Sequence, residues 1–305
     1  MRQAKKKALR FALICVAAGL LISFVALAAL DFNFFEMGTM EAVSNTYAVT
    51  EGFKSIRVWG AECDVRLIPS EDASCTVLCN ETDRIAHRVT VKDGTLTIER
   101  TDDRKWFEHI GVTWNYWGPI EVVVYLPEGV YEDLSIRTAS GDVEIPEDFS
   151  FNRAEVDGIS GDIDFTAKVE GEMLLKTVSG DIRVGETSAQ TLTVESTSGK
   201  IIVDSVEVTA FSSKNTSGSV IASDLIASGS IRMEAVSGSI KLTRCDAETL
   251  WLKTVSGDVT GTLRTEKVFV THTTSGGIRV PDTAAGGTCE VKTVSGSIDF
   301  DVLDR

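Results

Sequence analysis

The amino-acid sequence predicts an all-β protein: a parallel β-solenoid of about nine coils of 19–20 residues, with an N-terminal β cap and one transmembrane helix ahead of it. Three observations carry this. A Ser-Gly pair recurs at 140, 160, 179, 198, 217, 237, 256, 275 and 295. Apolar residues alternate at fixed offsets from that pair, and residues 11–30 form an uncharged run whose only polar side chain is Ser23.

In chain order, residues 1–10 carry Arg2, Lys5, Lys6, Lys7 and Arg10 with no acidic residue, so the positive-inside rule makes them a cytoplasmic tail. Residues 11–30, as a helix of ~30 Å, match the hydrocarbon thickness of a bilayer. The expected location is therefore the cell membrane, single-pass, with everything after Leu30 outside. A cleaved signal peptide is the competing reading, since Ala26-Leu27-Ala28 resembles a cleavage site, but its apolar core runs only ~7–15 residues. Cys15 lacks the small neighbours of a lipid-modified cysteine. Residues 31–50 are assigned as a linker.

The exported part holds 25 basic and 45 acidic residues, a net −20. Such a surface repels phosphate backbones and anionic lipid, which excludes nucleic acid as a partner. It attracts cations, although a solvated acidic surface is the simpler reading. Five cysteines lie in this part, Cys63, Cys75, Cys79, Cys245 and Cys289, an odd number that cannot all pair in one chain. Cys75 and Cys79 are ~13 Å apart along a strand and cannot bridge each other, whereas Cys63 is within reach of either from a neighbouring strand. The C-x3-C spacing has no second pair, so no zinc site is expected there.

Residues 51–135 lack Ser-Gly but alternate as strands at 55–58, 63–68, 75–79, 89–91, 96–98 and 121–126, with Asp93-Gly94 as a hairpin turn. A solenoid end exposes an unpaired strand and an open core, so this region is assigned as the cap. Within it, Trp106, Phe107, Trp114, Tyr116 and Trp117 fall in twelve residues. They are the candidate partner-binding residues, as a protein, glycan or headgroup contact; packing inside the cap accounts for them equally well.

Residues 136–305 are the repeats, and aligning them on Ser exposes their columns. Three residues after Ser stand Val143, Ile163, Ile182, Ile201, Val220, Ile240, Val259, Ile278 and Ile298; two further on are Ile145, Phe165, Val184, Val203, Ala222, Leu242, Gly261, Val280 and Phe300. Six before Ser are Leu134, Ala154, Met173, Leu192, Phe211, Ile231, Leu250, Phe269 and Cys289. Period two in these columns makes two core-facing strands per coil, joined at Ser-Gly. The glycine supplies a corner with positive φ, and the serine is placed on the inward phase. Three residues before Ser, on the outward phase, Arg137, Asp157, Lys176, Glu195, Lys214, Glu234, Lys253, His272 and Lys292 alternate in sign. Coils ~4.8 Å apart would set opposite charges against each other and penalise a slipped register.

Nine equivalent serines in a chain with 3 histidines read as structure, because catalysis needs one activated nucleophile beside a base. The chain is expected not to be an enzyme and to need no cofactor. Two after Ser, Asp142, Asp162 and Asp181 read as turn caps and are the weak candidates for a cation; no metal site is otherwise expected.

The pattern x-V-S-G-D-I-x-V, as in Lys176 to Val184 and Lys253 to Thr260, preceded by Val122-Val123-Val124-Tyr125-Leu126-Pro127-Glu128-Gly129, resembles the bacterial putative-adhesin family of unknown function with β-strand repeats, the toastrack domain. The resemblance covers about residues 50–305. It implies a parallel β-solenoid in the cell envelope, often linked with membrane-stress sensing proteins, and carries no catalytic motif. The long aromatic loop departs from the simplest members. The expected function is a membrane-anchored, extracytoplasmic, non-enzymatic protein-interaction or scaffold module whose partners are envelope or membrane proteins. The alternative is a surface adhesin that binds glycan or a host surface through the aromatic loop.

Overall fold

A computed structural model of the chain describes residues 19, 42–72, 74–82, 85–102 and 121–303. The chain divides into two units: Met1–Ala42 with Thr82–Arg84 and Asp103–Gly118, and Val43–Glu81 with Ile85–Asp102 and Pro119–Arg305. The expected membrane helix, Gly19 apart, lies outside the described residues; among these, no helix is long and apolar enough to cross a membrane.

Among the described residues, twenty-two strands form one sheet: β1 (Ala42–Val49), β2 (Ser55–Glu62), β3 (Asp64–Pro69), β4 (Cys75–Thr82), β5 (Ile85–Lys92), β6 (Thr95–Asp102), β7 (Glu121–Leu126), β8 (Gly129–Ser140), β9 (Val143–Ile145), β10 (Phe149–Ser160), β11 (Ile163–Phe165), β12 (Lys168–Val169), β13 (Glu172–Ser179), β14 (Ile182–Ser198), β15 (Ile201–Ser217), β16 (Val220–Ser237), β17 (Ile240–Lys253), β18 (Val259–Leu263), β19 (Lys267–Ser275), β20 (Ile278–Arg279), β21 (Gly287–Ser295) and β22 (Ile298–Val302). The repeats stack in parallel and in register, Ile182 on Ile201 on Val220 on Ile240, so the chain is an all-β parallel solenoid.

The coils from Gly141 to Ser256 have three inward runs rather than two. In the coil after Gly199, Ile201 and Val203, then Val206 and Val208, then Phe211, Ser213 and Asn215 are buried, with two-residue breaks of phase between the runs. The break the sequence did not reveal is a second corner, where Glu186, Ser205, Asp224 and Arg244 take φ of 48–56°. The phase break at Ser-Gly also corrects the serine: all nine are exposed, and the inward position is two residues earlier. There Thr177, Asn215, Thr254 and Thr293 donate to the carbonyl of a corner glycine on the neighbouring coil. These bonds satisfy a backbone acceptor that the corner would otherwise leave open.

The corner glycine is required twice. Its φ runs from +111° to +159°, and a Cβ on Gly161, Gly180 or Gly199 would lie 2.1, 2.0 or 1.9 Å from the carbonyl oxygen of the preceding corner. The same contact extends the stack in the N-terminal direction. Gly141 packs on Cys63, and β2–β3 lie parallel under β8–β9, with Ile56 on Leu134, Val58 on Ile136 and Val65 on Val143. β6–β7 follow on the other side, with Leu96 on Ile56 and Val122 on Val65. Within 51–135, two coils without Ser-Gly therefore continue the core columns. β4 and β5 then pair antiparallel with β7 and β6, and β1, within the expected linker, pairs with β4.

At the other end the coils stack out of chain order. Val259 pairs with Ile298, not Ile278, and Ile278 pairs with Ile298 from the far side; the glycine contacts run Gly257, Gly296, Gly276. The last coil, β21–β22, is thus inserted between β17–β18 and β19–β20. The Gly286-Gly287 pair admits it: Cβ atoms there would strike the Glu266 and Glu248 carbonyls at 1.9 and 2.0 Å. Phe300 pairs with Gly261, packs its ring 5.7 Å from that of Phe269 and is 1% exposed. The edge falls to the coil of β19 and β20, which pair with β21 and β22 from one side; β20 is two residues long and followed by Pro281, features that blunt an open edge. Two expectations change. Ile278 is 48% exposed instead of core, and the charge ladder alternates only as far as Lys253, whose neighbour is Lys292.

Candidate functional site

Trp106, Phe107, Trp114, Tyr116 and Trp117 lie outside the described residues. The strands on either side of them fix the point of insertion: β6 ends at Asp102 and β7 begins at Glu121, at the corner where the later coils carry Ser-Gly.

The described surface presents a ridge along the Ser-Gly corners. Because the alternation breaks there, the residue before each serine points out together with it, leaving Ile159, Val178, Val236, Val255 and Val294 42–56% exposed. The changed coil order places Val294 next to Val255, since Ser256 bridges both Ser237 and Ser295. Val236, Val255 and Val294 thus form an unbroken apolar stripe over three coils.

On the other flank of the ridge the aspartates act between coils. Asp142 Oδ1 accepts the Asp162 N–H at 2.8 Å, Asp162 Oδ1 the Asp181 N–H at 2.8 Å, and Asp181 Oδ1 the Lys200 N–H at 2.7 Å. Ser239 and Ser297 serve the same role toward Asp258 and Gly277. Arg183 bridges Asp162 (2.9 Å) and Asp181 (3.3 Å), and its hydrogen bond holds the Asp162 carboxyl below the usual carboxylate range. Backbone amides and a guanidinium therefore occupy the carboxylates that the sequence marks for a cation.

A second group is buried. On β4 the inward phase reads Cys75, Val77, Cys79, Glu81, so a carboxylate takes a core position at 2% exposure. Glu81 Oε1 accepts from the His87 N–H (2.6 Å) and faces His87 Nδ1 (3.2 Å), while Oε2 accepts from Asn45 Nδ2 (2.5 Å). The Tyr47 hydroxyl is 3.3 Å from Oε1 and 3.1 Å from the His87 carbonyl. Burial, partly opposed by Glu81, lowers the His87 pKa. Cys63, Cys75, Cys79, Cys245 and Cys289 are all free and buried, so Cys63 bonds neither Cys75 nor Cys79. Burial pushes the Cys63, Cys79 and Cys289 thiols up to about 12, which removes the thiolate needed for nucleophilic chemistry. Sequence reasoning passed over Glu81 and His87; an acidic residue on the inward phase of β4 was the available signal.

The coil, the corner and the strand preceding the repeats define the class, a parallel repeat solenoid with a glycine-stacked corner. The chain belongs to the Toastrack DUF4097 family, whose model matches residues 53–301. Among solved structures, it is similar to one described as a putative lipid binding protein from Parabacteroides distasonis (16% identity, TM-score 0.56, covering 85% of this chain and 96% of that one). It is also similar to a putative adhesin from Bacteroides fragilis (17% identity, TM-score 0.45, 86% and 97%) and to one from Parabacteroides merdae (9% identity, TM-score 0.44, 87% and 98%). No functionally curated protein matches the chain.

Proposed function

We propose that the protein is a membrane-anchored, extracytoplasmic, non-enzymatic module of the cell envelope that binds envelope or membrane proteins through its corner ridge. The stripe Val236, Val255, Val294 carries this reading, because contiguous exposed apolar surface marks contacts where isolated residues do not. The uncharged run 11–30 with its basic flank supplies the anchor, and an assembly that senses or scaffolds the envelope is the setting this fits. A protein of this fold described as a putative lipid binding protein is named for binding, which agrees with buried thiols and nine equivalent serines.

The test is capture from native membranes by the full chain and by a Val236→Ser, Val255→Ser, Val294→Ser variant with an unchanged melting curve. Loss of partner proteins in the variant supports the ridge; undiminished capture refutes it. The adhesin reading rests on the insertion at 103–120 that replaces a two-residue corner. It requires glycan binding that a Trp114→Ala, Trp117→Ala variant loses. External protease on intact cells should remove the domain if the N-terminus is inside.

A further inference from the structure

A core excludes carboxylates and imidazoles unless something compensates for their desolvation. Here Cys79, Glu81 and His87 are 0%, 2% and 6% exposed and lie on two strands joined through residues 83–84. The thiol sulfur, a carboxylate oxygen and a ring nitrogen are all within 4.8 Å of one another. With its Nδ1 turned to Glu81, the His87 ring leaves Nε2 buried and without a hydrogen-bond partner. His87 Nδ1 and Glu81 Oε1, 3.2 Å apart, already stand at the spacing of two donors on one ion, so Nδ1 is the ring nitrogen that can share an ion with Glu81.

We propose that Cys79, Glu81 and His87 form a binding site for one borderline-soft divalent cation, Zn2+ by its chemistry. Thiolate, imidazole and carboxylate are the donor set zinc prefers, and a lone sulfur with one carboxylate does not suit calcium or magnesium. Zinc–sulfur and zinc–nitrogen bonds of ~2.3 and ~2.0 Å place donors roughly 3.5 Å apart, so closure needs about 1 Å of side-chain movement. The charges balance as well. Binding releases the Cys79 proton to solvent, and thiolate plus carboxylate then offset the ion's two positive charges in a site with little water. Three protein donors leave a fourth position open. The chain order hides this site, because neither Cys75-x3-Cys79 nor any His-x-His spacing announces it.

The experiment uses the full chain in detergent, stripped of metal and refolded with Co2+ as the probe. The expected result is one Co2+ per chain, with a thiolate-to-metal charge-transfer band and the strong visible absorption of tetrahedral cobalt, both bleached by Zn2+. Cys79→Ser should lose the charge-transfer band, and Cys289→Ser, an equally buried thiol on β21, should keep it. Should Cys79→Ser fail to fold, His87→Gln is the second variant, expected to weaken Co2+ binding at least tenfold. Zn2+ should raise the melting temperature of the unaltered chain and not that of either ligand variant. A wild-type spectrum without the charge-transfer band, a band that survives Cys79→Ser, or unaltered affinity in His87→Gln overturns the proposal.

Discussion

Replacing Gly199 by alanine tests the corner directly. The new Cβ would lie 1.9 Å from the Gly180 carbonyl oxygen and 2.5 Å from its carbon, roughly 1.5 Å inside ordinary non-bonded contact. Backbone on both sides leaves no flexible side chain to yield, so the two coils must part. Parting strains Gly180 N–H to Ser198 O (3.0 Å) and Ile182 N–H to Lys200 O (2.9 Å), each contributing about 1 kcal/mol net. A φ of +139° adds about 1–3 kcal/mol for any residue with a Cβ. The expected loss is about 3–5 kcal/mol. At about 2–4 °C per kcal/mol for a domain of this size, the melting temperature should fall by about 6–20 °C. The control is Gly277→Ala, whose Cβ would meet nothing within 4 Å. Differential scanning calorimetry of both variants decides the matter, and equal melting temperatures would refute the close-packed corner.

Three further outcomes follow from the register. Glu234→Lys sets three cations in a row with Lys214 and Lys253 and removes the Arg232 pairing at 3.0 Å; on this part-exposed face the loss should be about 1 kcal/mol or less and shrink with added salt, as read by denaturant melts at two ionic strengths. Lys253→Cys with Lys292→Cys should oxidise to a disulfide within the chain, while Lys253→Cys with His272→Cys, two coils apart, should not; non-reducing gels after mild oxidation would show the reverse if the coils stacked in chain order. Ile298→Ala should cost about 2–4 kcal/mol and Ile278→Ala under about 1 kcal/mol, because only the former is buried; equal losses would mean both coils are interior.

The sequence by itself determined the solenoid, the period, the core columns and the corner glycines. In a parallel in-register stack every equivalent position meets the same neighbours, so a requirement such as the missing Cβ at Gly180 or the β-branched core at Ile201 is imposed again every 19–20 residues and becomes legible as a column. The alternating charges were legible for the same reason, as far as Lys253. Tertiary structure alone decided what periodicity leaves degenerate. The coils of Ser275 and Ser295 match the same pattern, and what distinguishes them is local: Phe300 is paired with Gly261, and Gly286 and Gly287 lie against the Glu266 and Glu248 carbonyls. The outward turn of the serines depended on a phase break that strict alternation does not register. Glu81, His87 and Cys79 belong to no repeat; only the antiparallel strands at the N-terminal end bring them together, because side-chain proximity across strands depends on pairing that one chain's spacing does not encode.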